Sequence, residues 1–199
     1  MPDLYLASQS PRRRELLTQM GVDFDTLSVD VVEQRQPGET PADYVERLAR
    51  DKALAGRDAL DEGGAAAIPV LGADTIGVCS GEVLEKPRDQ AHAAEMHRMM
   101  SGRRHEVLTA VALCLGTRVE TCLVRTSVQF RELSENEISA YWHTGEPLDK
   151  AGGYGIQGLG GAFVERIEGS YSAVVGLPLA QTADLLNRFG VPWWSTQSA

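Results

Sequence analysis

The sequence predicts an α/β fold, a mixed and twisted β-sheet flanked by helices. Three observations carry that prediction. Strand-like and helix-like segments alternate along the whole chain instead of falling into separate blocks. A short apolar run at 3–7 (DLYLA) feeds straight into a helix through a serine-rich turn. Two long β-rich runs, 106–115 and 120–130, flank the turn Gly116-Thr117-Arg118, and such a hairpin excludes a purely parallel sheet.

The elements follow in order. Ser10 is a good N-cap, Pro11 suits the first helical position, Leu16, Leu17 and Met20 form an apolar stripe, and Gly21 ends the helix. A second helix opens at Thr40-Pro41 with Asp43 in its first turn. It buries Tyr44, Val45, Leu48 and Ala49, and runs to Leu60. Residues 61–67 (DEGGAAA) read as a loop, and 69–73 (PVLGA) as a short apolar strand ending at Asp74-Thr75. The runs 76–79 and 82–84 flank Ser80-Gly81, a tight hairpin. A third helix covers 89–101, with Met96, Met99 and Met100 as core filler. Ser134 and Glu137 have capping-box spacing, which starts a fourth helix reaching His143. Residues 152–161 (GGYGIQGLGG) form a glycine-rich loop, 163–167 and 171–175 a strand pair, and Leu177-Pro178 the start of a last helix ending at Gly190. No repeat or Pro/Ser-rich linker divides the chain, so residues 1–199 read as a single domain.

Composition narrows the function. A net charge of −9 argues against a nucleic-acid or anionic-membrane partner, and makes each local basic cluster more telling. No secretory leader pattern or apolar run long enough for a bilayer is present, which leads us to expect a cytoplasmic protein. Cys79, Cys114 and Cys122 are odd in number and form no CxxC, as expected of buried free thiols. His92, His97, His105 and His143 lack zinc-ligand spacing with them.

Chemistry concentrates at a few positions. Arg12, Arg13 and Arg14 sit in the first helical turn, where the macrodipole repels cations. An anion bound there removes the conflict: helix N–H groups, Ser8 and guanidinium forks then converge on phosphate oxygens. Side chains splay about 100° apart per residue, so one or two arginines reach the anion and one faces solvent. The competing reading is a solvated basic helix end. Asp74 follows an apolar strand, where a carboxylate beside Thr75 serves as general base or Mg²⁺ ligand, or else only shapes a turn. Lys52 lies seven residues after Val45, close to the buried face, and either snorkels or projects into a cleft. Lys86 next to Pro87 is stiffened at a strand end within reach of phosphates, and Glu33 in the polar loop VVEQRQPGE is a second candidate metal ligand. Arg103, Arg104 and His105 read as a solvated helix end. Residues 153–158 match G-x-G-x-x-G, but no strand precedes and no helix follows, so the dinucleotide reading is rejected. Its glycines suit close approach to a flat base, and the Gln157 amide complements a uracil or thymine edge. The alternative is a flexible surface loop.

Taken together, ASQSPRRRELL, LGADTIGV, VLEKPRD, SGRRHEVLTAV, LDKAGGYGIQGLGGAF and GSYSAVVGLP resemble the Maf family of nucleoside triphosphate pyrophosphatases in order along nearly the whole chain. EKPRD combined with GYGIQG is similar to the branch acting on dTTP and UTP. The resemblance implies a Maf/ITPase-like α/β fold of two lobes with a central cleft. It also implies Mg²⁺ or Mn²⁺ dependence and hydrolysis to a nucleoside monophosphate and pyrophosphate. It assigns Asp74 as catalytic acid/base, Arg12, Thr75 and Gln157 to specificity, Ser8, Arg13, Lys52 and Lys86 to phosphate, and Asp74 with Glu33 to the metal. Arg12 also serves the phosphate side. Its implied partner is a small nucleoside triphosphate, with a homodimer as a further expectation. The family's association with arrest of septation leaves a second reading, a nucleotide-binding regulator whose hydrolysis is incidental. A third is a purine house-cleaning enzyme preferring ITP or XTP.

Overall fold

The computed structural model describes residues 1–62 and 68–194, apart from the side chains of 61 and 62. Its elements are β1 (Leu4–Leu6), α1 (Pro11–Gln19), β2 (Phe24–Thr26), α2 (Pro41–Glu62), β3 (Val70–Cys79), β4 (Glu82–Leu84), α3 (Gln90–Met100), β5 (Arg104–Leu115), β6 (Arg118–Phe130), α4 (Glu135–Trp142), β7 (Val164–Glu168), α5 (Tyr171–Val175) and α6 (Leu179–Phe189). Residues 61–62, expected in a loop, continue α2, and the rest of that expected loop lies outside the described residues. The seven strands form one sheet in the order β2-β1-β3-β5-β6-β7, with β4 paired to β3. β1 is parallel to β2 and β3, whereas β3/β4 and β6/β7 are antiparallel, so the sheet is mixed as the sequence predicts. Among the described residues, no helix is long and apolar enough to cross a membrane.

The chain divides into two compact units. The first holds Met1–Asp74, Thr109–Val124 and Gly176–Ala199; the second holds Thr75–Leu108 and Arg125–Val175.

In the first unit, Gly21 (φ +68) closes α1: its N–H donates to the Thr18 carbonyl and that of Val22 to the Leu17 carbonyl. This is the Schellman arrangement, which favours glycine because its left-handed φ carries no Cβ penalty. Helix α2 lies against the strands through small residues. A Cβ on Gly72 of β3 would meet the Ala49 carbonyl oxygen at 2.3 Å and the Ala53 nitrogen at 2.5 Å. A Cβ on Gly56 would meet Val70 Cγ1 at 2.7 Å. Ala49, Ala53 and Gly56 therefore form the packing ridge of α2, and backbone meets backbone at Gly72. Leu4, Leu6, Leu17, Leu48, Leu71, Leu185 and Leu186 are buried within this unit.

One expectation fails here with consequences for the site. The strand expected to stop at Asp74 continues to Cys79, so Asp74 lies in the interior of a ten-residue strand. In sequence alone the polar pair Asp74-Thr75 interrupts an apolar run and so marks a strand end. A carboxylate inside a sheet is tolerated only where a partner compensates its desolvation.

The second unit carries the aromatic core. Phe130 packs edge-on to Tyr154 and Tyr141 edge-on to Phe163, each pair with centroids 4.8 Å apart. Ser80 (φ +52) and Gly81 (φ +84) make the expected hairpin turn with both central residues left-handed. Asp89 caps α3 by accepting the His92 N–H, and Ser134 with Glu137 completes the capping box of α4. Residues 171–175 are helix α5, not a strand, although YSAVV favours β structure. The Ser170 hydroxyl accepts the Ala173 N–H at 3.2 Å, so a local cap overrides propensity. β7 pairs with β6 instead.

Cys79, Cys114 and Cys122 form no disulfide. Cys79 and Cys114 are buried, but Cys122 is only half-buried. His105 corrects a further expectation: it sits buried in β5, with its ring nitrogen 2.8 Å from the Tyr154 hydroxyl. Burial pulls its pKa from 6.5 down to about 4. The folded state thus binds the proton less readily than the unfolded chain. The stability contributed by neutral His105 is complete above pH 6.5 and is lost as pH falls to about 4. The shift corresponds to about 3 kcal/mol across that window. Urea unfolding at pH 7 and pH 4.5 measures it. His105→Phe should flatten the slope, and an unchanged slope would remove His105 as its source.

Candidate active site

The site grows from the turn between β1 and α1. Ser10 occupies the N-cap position, but its side chain makes no capping bond. Ser8 takes over the turn: its hydroxyl oxygen accepts the Ser10 N–H at 3.2 Å and an N–H from Arg13 Nη1 at 3.2 Å. Arg13 Nε donates to the Gly176 carbonyl at 2.9 Å. Two acceptors from distant parts of the sequence therefore fix the guanidinium. Arg14 is exposed, while Arg12 and Arg13 are half-buried, matching the expected splay. Burial lowers the Arg13 pKa; Asp74 opposes that, Arg12 adds to it and Glu33 opposes it. Guanidinium remains charged regardless.

Lys52, on the buried side of α2, meets Asp74 and Glu33. Its Nζ lies 2.6 Å from Asp74 Oδ1 and 2.5 Å from Glu33 Oε1. Only 11% of the Lys52 and Asp74 side chains is exposed, so the snorkelling alternative for Lys52 falls away. Packing at Gly72 explains the meeting. Gly72 and Asp74 share a face of β3, because strand side chains alternate. The close approach of Ala49 and Ala53 to Gly72 sets the intervening Lys52 beside that face. Glu33 comes from a loop that Arg47 of α2 grips: Nε and Nη2 hold Glu39 at 2.6 and 3.0 Å, and Nη2 donates to the Gln34 carbonyl at 3.0 Å. This bidentate bond holds the Glu39 carboxyl down at about 2.

The arrangement interleaves cations with two carboxylates at a helix start. Asp74 Oδ1 is engaged by Lys52, leaving Oδ2 without a hydrogen bond among the described residues. Among those residues, no three His, Cys, Asp or Glu side chains gather into a metal cage. The donor set instead offers two hard carboxylate oxygens converging on one cationic point. Hard carboxylate oxygens are the donor type a divalent cation takes, and the two named here are occupied by the Lys52 ammonium.

Thr75 follows Asp74 in β3 and alternation turns it to the opposite face. Lys86 and Gln157 are exposed and belong to the second unit, Lys86 just after β4 and Gln157 between short 3-10 turns. The structure therefore gathers Ser8, Arg13, Lys52, Asp74 and Glu33 in one unit, with Arg12 at the same helix start. Gly72, Gly176 and Arg47 were not anticipated as supports. The run LARDKALAG, with small residues at 49, 53 and 56, was the available signal for the first.

These features define the class: a mixed α/β protein with a buried Lys52–Asp74 pair, joined by the exposed Glu33, beside an arginine-rich helix start. The chain belongs to the Maf-like protein family, whose model matches residues 3–189. It is 57% identical over 191 residues to the dTTP/UTP pyrophosphatase of Escherichia coli O157:H7, covering 95% of this chain and 94% of that one. The dTTP/UTP pyrophosphatase of Saccharophagus degradans is 57% identical over 192 residues, covering 96% and 91%. A Shigella flexneri relative, a nucleoside triphosphate pyrophosphatase, is also 57% identical over 191 residues, covering 95% and 94%. The solved structure of the Staphylococcus aureus Ham1 protein aligns with a TM-score of 0.40 and 10% identity over 64% of this chain and 71% of that one.

Proposed function

We propose that this protein is a dTTP/UTP pyrophosphatase that cleaves the α–β phosphoanhydride, releasing a nucleoside monophosphate and pyrophosphate. The observation that carries the mechanism is the Lys52 ammonium held 2.6 Å from Asp74, in the same unit as the Arg13 guanidinium fixed by Ser8 and Gly176. The relatives' names support the substrate.

In this reading the triphosphate lies along the Ser8–Arg13 turn. Arg13 and Arg12 offer guanidinium forks to its oxygens, and Lys52 and Lys86 add point charges. Asp74 and Glu33 would hold a divalent Mg²⁺ or Mn²⁺, which would neutralise phosphate charge. Asp74, through its open Oδ2, takes a proton from the water attacking in line at the α phosphorus. Lys52 orients that carboxylate by holding Oδ1. Gln157 reads the base edge and Thr75 contributes to specificity.

The test is pyrophosphate release from dTTP, UTP, CTP, GTP and ITP with Mg²⁺ or Mn²⁺. Turnover confined to dTTP and UTP, with monophosphate as co-product and loss on chelation, is the expected result. Tight UTP binding without pyrophosphate release would overturn hydrolysis and leave a nucleotide-binding role. Gln157→Glu should lower kcat/KM for UTP by about 10–100-fold, since a second acceptor faces the base carbonyls. An unchanged UTP preference would remove Gln157 from base reading.

A further inference from the structure

The glycine-rich segment carrying Gln157 is wound around one carboxylate. Glu146 heads the 3-10 turn that follows α4 and sends its side chain into the segment. Its Oε1 accepts the Tyr141 hydroxyl at 2.6 Å and the Gly160 N–H at 2.9 Å, and its Oε2 accepts the Leu159 N–H at 2.9 Å. The Tyr141 hydroxyl in turn accepts the Gly155 N–H at 3.0 Å. Backbone on both sides of Gln157 is thus tied to one Glu–Tyr pair. The Gly158 N–H to the Gly155 carbonyl, at 3.1 Å, closes the turn between those ties.

The glycines themselves point to the same device. A Cβ on Gly158 would stand 2.3 Å from Glu146 Oε2, one on Gly160 would stand 2.5 Å from the Tyr141 hydroxyl, and one on Gly155 would stand 3.0 Å from Glu146 Oε1. These three positions lack a side chain because the pair occupies the space. Internal packing against this pair is by itself enough to require glycine at these positions. Burial would raise the Glu146 carboxyl; bonds from Tyr141, Gly160 and Leu159, with Lys150 nearby, outweigh it and hold it below the ordinary carboxylate range. Gln157, at the tip, is exposed and makes no side-chain hydrogen bond with the described residues.

We infer that Glu146, through Tyr141, is the positioning residue that presents Gln157 to the pyrimidine base. The inference rests on the reading of Gln157 given above. Glu146 touches neither phosphate nor the reacting atoms in this scheme, so its removal acts on base selection and not on the chemical step.

Glu146→Gln puts an amide donor against backbone N–H groups and breaks at least one tie. It should raise KM for UTP about tenfold, leave kcat within about twofold, and shrink the preference for UTP over CTP. Gly158→Ala keeps every charge but drives a methyl into the Glu146 carboxylate, and should give the same split. It carries the test if Glu146→Gln does not fold. Gln157→Ala is measured alongside. Unchanged KM and unchanged UTP/CTP selectivity in a folded Glu146 or Gly158 variant, with selectivity lost in Gln157→Ala, overturns the positioning role alone. Selectivity retained in Gln157→Ala overturns the base-reading assignment and this inference with it. A fall in kcat at constant KM would mean that Glu146 supports the chemical centre instead.

Discussion

Asp74→Asn is expected to lower kcat by about 10²–10⁴-fold while leaving nucleotide binding intact or tighter. Asparagine matches aspartate in shape, so β3 keeps its course, but an amide accepts no proton from water. The direction of the binding effect follows from charge. Asp74 is only 8% exposed, and in the proposed pose its carboxylate faces the triphosphate. Measured without divalent metal, which Asp74 would otherwise help to hold, removing a buried negative charge near bound phosphates removes repulsion. Lys52 keeps Glu33 as an anionic partner at 2.5 Å, which limits the cost in stability. Single-turnover kinetics together with equilibrium UTP binding separate the two effects. A variant turning over at nearly the wild-type rate would show that Asp74 is not the base. One that loses binding and turnover together would make it a ligand-positioning group.

Lys52→Met should be costly twice over. For catalysis, it removes a cation from the phosphate side and the group that orients Asp74, so kcat/KM should fall by at least about 100-fold. For stability, it leaves the Asp74 carboxylate buried beside an apolar side chain. Breaking one partner of a buried pair typically costs about 3–5 kcal/mol. Arg13 also acts electrostatically on Asp74 and softens this cost. The double variant Lys52→Met with Asp74→Asn removes both charges, and its stability loss should be smaller than the sum of the single losses. Strict additivity in urea unfolding would mean that the 2.6 Å contact contributes no coupling. Lys52→Arg should not restore the rate, because a planar fork does not fit the point between Asp74 and Glu33 that an ammonium fills.

Elements governed by local rules were legible without coordinates. Pro11 and Gly21 bound α1, Ser80-Gly81 sets the hairpin, and Ser134 with Glu137 starts α4, because each depends on backbone dihedrals and bonds within a few residues. The arginine-rich helix start was legible as a broken local rule. Elements governed by distant partners were not. Asp74 looked like the end of a strand because a carboxylate in a sheet interior makes sense only once Lys52 stands beside it, 22 residues away in sequence. Tyr171–Val175 looked like a strand because the capping bond from Ser170 competes with β propensity and wins. His105 looked solvated beside Arg103 and Arg104, yet β5 carries it into the aromatic core next to Tyr154.

The sequence by itself determined the α/β class and the starts of α1, α3 and α4, and it offered the residue types proposed above for phosphate and metal. Those follow from periodicity, capping and charge, which act over one or two turns of chain. Only the tertiary structure decided that Lys52, Asp74 and Glu33 share one point, that Gly176 holds Arg13, and that Glu146 and Tyr141 take up the space beside three glycines. These contacts join residues that no short-range rule connects. Their physical cause is the close approach of backbones at Gly72 and around the Glu146 side chain, where a missing Cβ counts only once its neighbour is known.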